Sequence, residues 1–319
     1  MKTAFTQLVG CHVPLQQAGM GGTAGVDLAA AVADAGALGM LGLPGVPAPS
    51  VTAAIDEVAE RTSGAFGINF LMPFLDLAAL DVAVSRVRVV EFFYGDPDPA
   101  LVSKVHDGGA LASWQIGSLE EALAAADAGC DLVVAQGVEA GGHVRGEIGL
   151  LPLLDLVVEA LEVPVLAAGG IGSGRTVAAV LAAGAAGARV GTRFLAAREA
   201  DVHPVYLDAL VNGEPQDTVL TTTFSVFWPD APHRVLRPCV DAATGSPDDP
   251  VGEMQLSDGT VVPVPRLAPP SPGRGSRGHV EAMAHYAGQS VGQVRKEQSA
   301  ADIVRELSEG AEALLHRLR

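Results

Sequence analysis

The stretch PVLAAGGIGSGRTVAAVLAAGAAGARVGTRF (164–194) decides the fold. It opens on a short apolar run at 164–169, turns through glycines to Ser173 as a candidate N-cap, continues as an Ala-rich segment, and enters a second apolar run at 187–192. Apolar run, Gly turn, small-faced helix and apolar run make one βα unit feeding a parallel strand. The same alternation extends upstream, with strands expected at 13–19, 37–42, 66–70, 89–95, 110–116 and 130–136. The intervening helices carry their own signals. In VDLAAAVADAG, Ala29, Val32 and Ala33 share a face, while SLEEALAAADAG starts at Ser118, places Glu120 and Glu121 at the positive end of the dipole, and stops at Gly129. Eight such strands with regular crossovers close more often than they stay open. The expected fold class is therefore α/β, a TIM (β/α)8 barrel, with a doubly wound open sheet as the alternative.

Beyond the eighth strand the pattern changes. Residues 203–212 remain helical in period, but 213–277 lose periodicity, and PVPRLAPPSPGRGSRG (263–278) can be neither a regular helix nor a central strand. Helical patterning resumes at 278–294 and 299–318, where Ile303, Leu307, Ala311 and Leu314 share a face. The expected organisation is a barrel core over 1–212, an irregular Pro-rich excursion or lid over 213–277, and C-terminal helices over 278–319 packing on the barrel.

Composition narrows the function. With 20 Lys+Arg against 37 Asp+Glu the formal charge is −17, which disfavours nucleic acid and anionic membrane surfaces and leaves small molecules or proteins as partners. The chain is 49% hydrophobic but 4% aromatic, so Ala, Val and Leu build its core, and the mean hydropathy of +0.32 needs no membrane span to explain it. Cys11, Cys130 and Cys239 are isolated and odd in number, which argues against a disulfide framework or zinc site and fits a reducing cytoplasm. The opening MKTAFTQLVGCHVPLQQ has no uninterrupted apolar run of the export type.

Barrel active sites lie at the C-terminal ends of the strands. Those positions here are Gly-rich: Gly19-Met20-Gly21-Gly22, Asn69, Gly95-Asp96, Gln115, Gln136 through His143, Gly169-Gly170-Ile171-Gly172 and Gly191-Thr192. Glycine admits a planar ring or a phosphate close to the backbone N–H groups. The turns of AAGGIGSGRT (167–176) and GTRF (191–194) follow strands seven and eight, the usual phosphate position in this architecture. A Walker A loop is absent, and GGIGSG lacks the later acidic residue of a dinucleotide fingerprint. In AQGVEAGGHVRG (135–146), Gln136 offers a donor and an acceptor to the edge of a heterocycle, and His143 is the best candidate acid or base. His12, His106, His279 and His316 lie in surface-like segments, whereas His203 and His233 are candidates to line a pocket under the excursion. The carboxylates read as helix first turns or solvated faces, with no metal spacing and no nucleophile motif.

These residues bring a family into view. QAGMGGTAGVDLAAAVADAGALG, FGIN, VVAQGVEAGGHVRG, PVLAAGGIGSGRT, GARVGTRFLAAREADVHPVY and EAMAHYAGQSVG (281–292) together resemble the nitronate monooxygenase, or 2-nitropropane dioxygenase-like, family over nearly the whole chain. The resemblance implies a TIM barrel holding non-covalent FMN. It implies flavin contacts at Gly19, Met20, Gly21, Asn69, Gln136, Gly141, Gly142, Gly169 and Gly170, a phosphate end at Arg189, Val190, Gly191 and Thr192, and His143 as the catalytic histidine. Gly19 stands where relatives commonly have Pro before the Met, and Leu207 where many have Lys. The implied activity is oxidation of alkyl nitronates with O2, or of nitroalkanes with His143 as base. A sister group of flavin enoyl-thioester reductases shares the motifs and would use NAD(P)H. No metal is implied, and a homo-oligomer is compatible with the pattern.

Overall fold

The computed structural model describes residues 1–256 and 259–318. A leading helix α1 (Ala4–Val9) precedes β1 (Leu15–Gln17), and the chain then alternates: α2 (Val26–Asp34), β2 (Gly39–Gly42), α3 (Ala48–Arg61), β3 (Phe66–Leu71), α4 (Leu77–Ala83), β4 (Val89–Phe93), α5 (Pro99–Gly108), β5 (Leu111–Ile116), α6 (Leu119–Asp127) and β6 (Leu132–Gln136). A two-residue strand β7 (Gly142–His143) stands aside before α7 (Leu150–Ala160), β8 (Val165–Ala168), α8 (Gly174–Ala182) and β9 (Gly187–Val190). Eight strands form one parallel sheet in the order β1-β9-β8-β6-β5-β4-β3-β2. Its edges meet at a parallel bridge between Gln16 and Leu38, where the Gln17 N–H donates to Leu38 O at 3.0 Å and the Leu38 N–H to Leu15 O at 2.9 Å. The fold is the TIM barrel the βα alternation predicts, and every expected strand overlaps an observed one.

Local chemistry sets the helix boundaries. The Ser118 hydroxyl accepts from the Glu121 N–H at the start of α6, and Ser173 forms a reciprocal capping box with Thr176 at the start of α8. Gly129 ends the α6 turn at φ 93°, where a side chain would be strained. The position between α8 and α2 is filled from the far end of the chain by α11 (Ala300–Arg317), which buries Ile303, Leu307 and Ala311. Close approach requires two glycines. A Cβ on Gly174 would lie 2.7 Å from the Gly310 Cα.

Alternation along the strands separates two environments. Val90, Phe92, Val133 and Ala135 join the apolar layer between sheet and helices. Inside the barrel, Met40, Val89, Leu132, Val134 and Leu166 pack with Phe5 and Val9 of α1, which plugs the N-terminal end. Toward the C-terminal ends the interior becomes polar, with Gln16, Asn69, Glu91, Ser113, Gln115, Gln136 and Arg189 all buried.

Two expectations require correction. Residues 213–277 are not an irregular excursion throughout. After α9 (Pro204–Asn212) they contain β10 (Thr218–Thr221), β11 (His233–Leu236), α10 (Arg237–Gly245), β12 (Gly252–Gln255), β13 (Val261–Val264) and β14 (Arg277–Gly278). The order β10-β11-β7 makes one small antiparallel sheet and β13-β12-β14 another, with Pro263 on an edge strand as its missing donor requires. The helical period at 278–294 does not produce an α-helix, only 3-10 turns at Val280–Ala282 and Gln289–Gln293. Tertiary pairing overrides the pattern: the Leu236 N–H donates to His285 O at 2.9 Å, the Ala287 N–H to Arg234 O at 3.2 Å, and Tyr286 bridges Val235. A third apolar cluster of Phe224, Val235, Cys239, Val251, Val264 and Met283 holds this appended layer together.

Candidate active site

Glu91 organises the polar interior. This fully buried carboxylate is paired with the Arg189 guanidinium and accepts from Asn69 Nδ2 at 2.8 Å and Gln16 Nε2 at 3.2 Å. The sequence reading assigned carboxylates to solvated faces, and Glu91 corrects it, because Asn69 on the neighbouring β3 and Gln16 and Arg189, reaching across the barrel interior from β1 and β9, replace the lost hydration. Three amide oxygens in this region have no partner among the described residues: Gln16 Oε1, Gln115 Oε1 and Gln136 Oε1. Buried acceptors of this kind call for a donor from a ligand or water.

His143 lies at the mouth on β7, held because β7 pairs with β11 and Gln136 Nε2 donates to the His143 carbonyl oxygen at 3.1 Å. Its ring stacks on Trp228 at 3.9 Å between centroids and 22° between planes, and Tyr94, His233 and Tyr286 stand within 5.9 Å. Burial, assisted by neighbouring His233, pushes its pKa down to about 3. The imidazole is therefore neutral near pH 7, and its buried Nε2 has no hydrogen-bond partner among the described residues. His233 is fully buried beside His143, 5.2 Å between ring centroids, and its ring is occupied: Nδ1 contacts Ala231 O at 2.8 Å and Nε2 accepts from the Phe224 N–H at 3.2 Å. His203 instead caps α9 by accepting from the Val205 N–H. His12, His106, His279 and His316 are exposed.

Several of these glycines are closely packed, against side chains at Gly19 and Gly21 and against backbone at Gly141. A Cβ on Gly19 would meet Asn69 Cβ at 2.6 Å, one on Gly21 would meet Pro44 Cγ at 2.9 Å, and one on Gly141 would meet Gly288 N at 2.3 Å. Gly142, Gly169 and Gly170 have φ of 77°, 109° and 66°, in the region that favours glycine. The N–H groups of Gly170, Ile171 and Gly191 donate to no acceptor among the described residues, which leaves three donors around the turns after β8 and β9. Met20 Sδ would lie 3.7 Å from a Cβ on Gly191. At the end of β9 the side chains are committed elsewhere. Arg189 is held by Glu91, Val190 faces the helix layer, and the Thr192 hydroxyl accepts from the Gly288 N–H at 2.9 Å. Only the backbone remains available there.

Sequence reasoning missed Glu91, Trp228, Tyr94 and Tyr286. Trp228 and Tyr286 come from segments without readable periodicity, and no local pattern brings them over the barrel. Tyr94 carried a signal in its place at a strand end. The three cysteines are buried and unpaired, and burial raises each thiol to about 12, so none is a ready nucleophile. No group of three or more metal-ligating side chains occurs among the described residues.

A closed parallel barrel with a half-buried, unpartnered histidine and orphan acceptors at its C-terminal mouth defines a small-molecule enzyme of the TIM-barrel class. The nitronate monooxygenase family model matches residues 2–83 and 77–310, and the chain belongs to that family; it is a flavin-dependent oxidoreductase. The chain is 36% identical over 239 residues to (3aS,4S,5R,7aS)-5-hydroxy-7a-methyl-1-oxo-octahydro-1H-indene-4-carboxyl-CoA dehydrogenase of Rhodococcus jostii, covering 74% of this chain and 66% of that relative, just under two thirds of its length. Among solved structures it is similar to FabK from Thermotoga maritima, with TM-score 0.82 and 28% identity over 100% of this chain and 99% of the other. It is also similar to a nitroalkane oxidase from Streptomyces ansochromogenes, with TM-score 0.81 and 30% identity over 99% and 100% of the two chains.

Proposed function

We propose that this chain is an FMN-dependent oxidoreductase that oxidises alkyl nitronates with O2. The observation that carries the reading is the convergence at one barrel mouth of a neutral, unpartnered imidazole, three orphan amide oxygens and three free backbone N–H donors. The set fits FMN on chemical grounds. Gln16, Gln115 and Gln136 would accept from the polar edge of the ring, while Gly170, Ile171 and Gly191 would donate to the phosphate. FMN, when bound, supplies the redox chemistry between nitronate and O2.

The protein's own part is to bind, orient and exclude water. His143 is neutral across the physiological range and offers its ring nitrogen to the substrate as a hydrogen-bond partner. A nitronate has already lost its α-proton, so it asks nothing more of the imidazole. A neutral nitroalkane would require His143 to take a proton, which burial opposes, so nitroalkanes are the poorer substrates. Trp228, Tyr94 and Phe74 form an aromatic wall around this point, with Trp228 in edge contact with Phe74 at 5.0 Å and Tyr94 at 4.7 Å.

A second reading has specific support. The CoA-linked dehydrogenase and FabK among the similar proteins favour a reductase that draws hydride from NAD(P)H and acts on an enoyl thioester. Anaerobic mixing separates the two. Bleaching of the flavin by ethylnitronate and not by NADH or NADPH is expected, and rapid bleaching by a pyridine nucleotide alone would move the assignment to the reductase.

A further inference from the structure

Along β4 the side chains alternate normally, with Val90 and Phe92 in the helix layer and Val89 and Glu91 inside the barrel. Continued alternation would send Tyr94 outward after Phe92. The backbone departs from it: Tyr94 has φ 65°, an unusual conformation for a bulky residue and one that persists only where surrounding structure enforces it. The enforcement is visible. Trp114 Nε1 donates to the Gly95 carbonyl oxygen at 3.0 Å, and a Cβ on Gly95 would collide with Met72 at 2.6 Å. The result is that the Tyr94 ring stands edge-on to His143 at 5.9 Å and to Trp228 at 4.7 Å. Its hydroxyl has no hydrogen-bond partner among the described residues, although Tyr206 and Tyr286, the other two tyrosines, each donate to a backbone carbonyl. A strained turn that delivers an unpartnered phenol to the edge of the catalytic histidine has no packing purpose that Phe would not serve.

We propose that Tyr94 is a second catalytic group, whose hydroxyl donates a hydrogen bond to an oxygen of a planar oxyanionic substrate held beside His143. The proposal rests on the oxidoreductase reading for its substrate and adds the group that holds the charged oxygen. Burial raises the phenol to about 12, so it keeps its proton and remains a donor at neutral pH.

The test compares the flavin-loaded wild type with Tyr94→Phe, which keeps the ring contacts and removes the donor. Two readouts are taken: turnover of ethylnitronate in air, and calorimetric binding of benzoate, an inert planar oxyanion. Tyr94→Phe should lower kcat/KM roughly a hundredfold, within the usual range for loss of one oxyanion donor. Benzoate affinity should weaken roughly tenfold, the low end for a hydrogen bond to a charged group, with the melting temperature and flavin spectrum unchanged. Benzoate binding that weakens in the variant while the wild type turns over no nitronate supports Tyr94 and removes the nitronate reading. Both readouts within twofold of wild type overturn the proposal, as does a wild type that shows neither turnover nor benzoate binding.

Discussion

A carboxylate with no exposure is stable only where its neighbours replace water, and Glu91 has Arg189, Asn69 and Gln16 to do so. Removing one partner leaves an uncompensated charge. Glu91→Ala should destabilise the protein by about 3–5 kcal/mol in urea titration, whereas Glu91→Leu combined with Arg189→Met should recover much of that loss. A double variant no more stable than Glu91→Ala would contradict this account. Three histidines with little access to water make a second prediction, His233 and His285 buried and His143 half-buried. His143, His233 and His285 have pKa values below the ordinary value, chiefly through burial, at about 3 for His143 and about 4 for His285. The unfolded chain therefore binds more protons as pH falls below about 6.5. The stability their neutral forms contribute is complete above that pH and is lost progressively on acidification toward their folded values. His285→Gln should flatten the dependence of melting temperature on pH between these limits, and an unchanged slope would count against it. His143 was legible from the glycines preceding it. Glu91 was not, because its partners are 75, 22 and 98 residues away in sequence.

The βα units were the most readable elements, since each carries its own turn glycine and cap. Ser118 and Ser173 act locally, and local chemistry is what one sequence displays. The role of α11 was only partly legible. Its apolar face was plain, but its place beside α8, completing the ring of helices, depends on the Gly174–Gly310 contact across the chain. Gly174→Ala should force these helices apart and cost about 1–3 kcal/mol, read as a lowered melting temperature; no change would show that the crossing yields without strain. The small sheet β10-β11-β7 was illegible for the same reason, since β7 has only two residues and takes its conformation from β11. The segment carrying Trp228 covers His143 in consequence. Trp228→Ala should admit water to the imidazole and raise its pKa toward the ordinary value, as measured by the pH dependence of its NMR resonances. An unmoved titration would mean that the rest of the aromatic wall suffices to keep the ring dry.

Over the whole molecule, a charge of −17 coexists with a mouth suited to an anionic phosphate because the donors there are backbone N–H groups, which add no formal charge. The plug of α1 closes one end of the barrel, leaving the polar interior open to chemistry only at the other. Residues distant in sequence build the cover, so the barrel could be read from local signals and the cover could not. The central claim is that this mouth holds FMN and passes it electrons from a nitronate. Its most direct test is the visible absorption spectrum of the purified protein, supplemented with FMN and then titrated anaerobically with ethylnitronate. The account predicts an oxidised-flavin spectrum that the nitronate bleaches and air restores. Protein that stays colourless after FMN is added, or a bound flavin that ethylnitronate leaves oxidised, would contradict it.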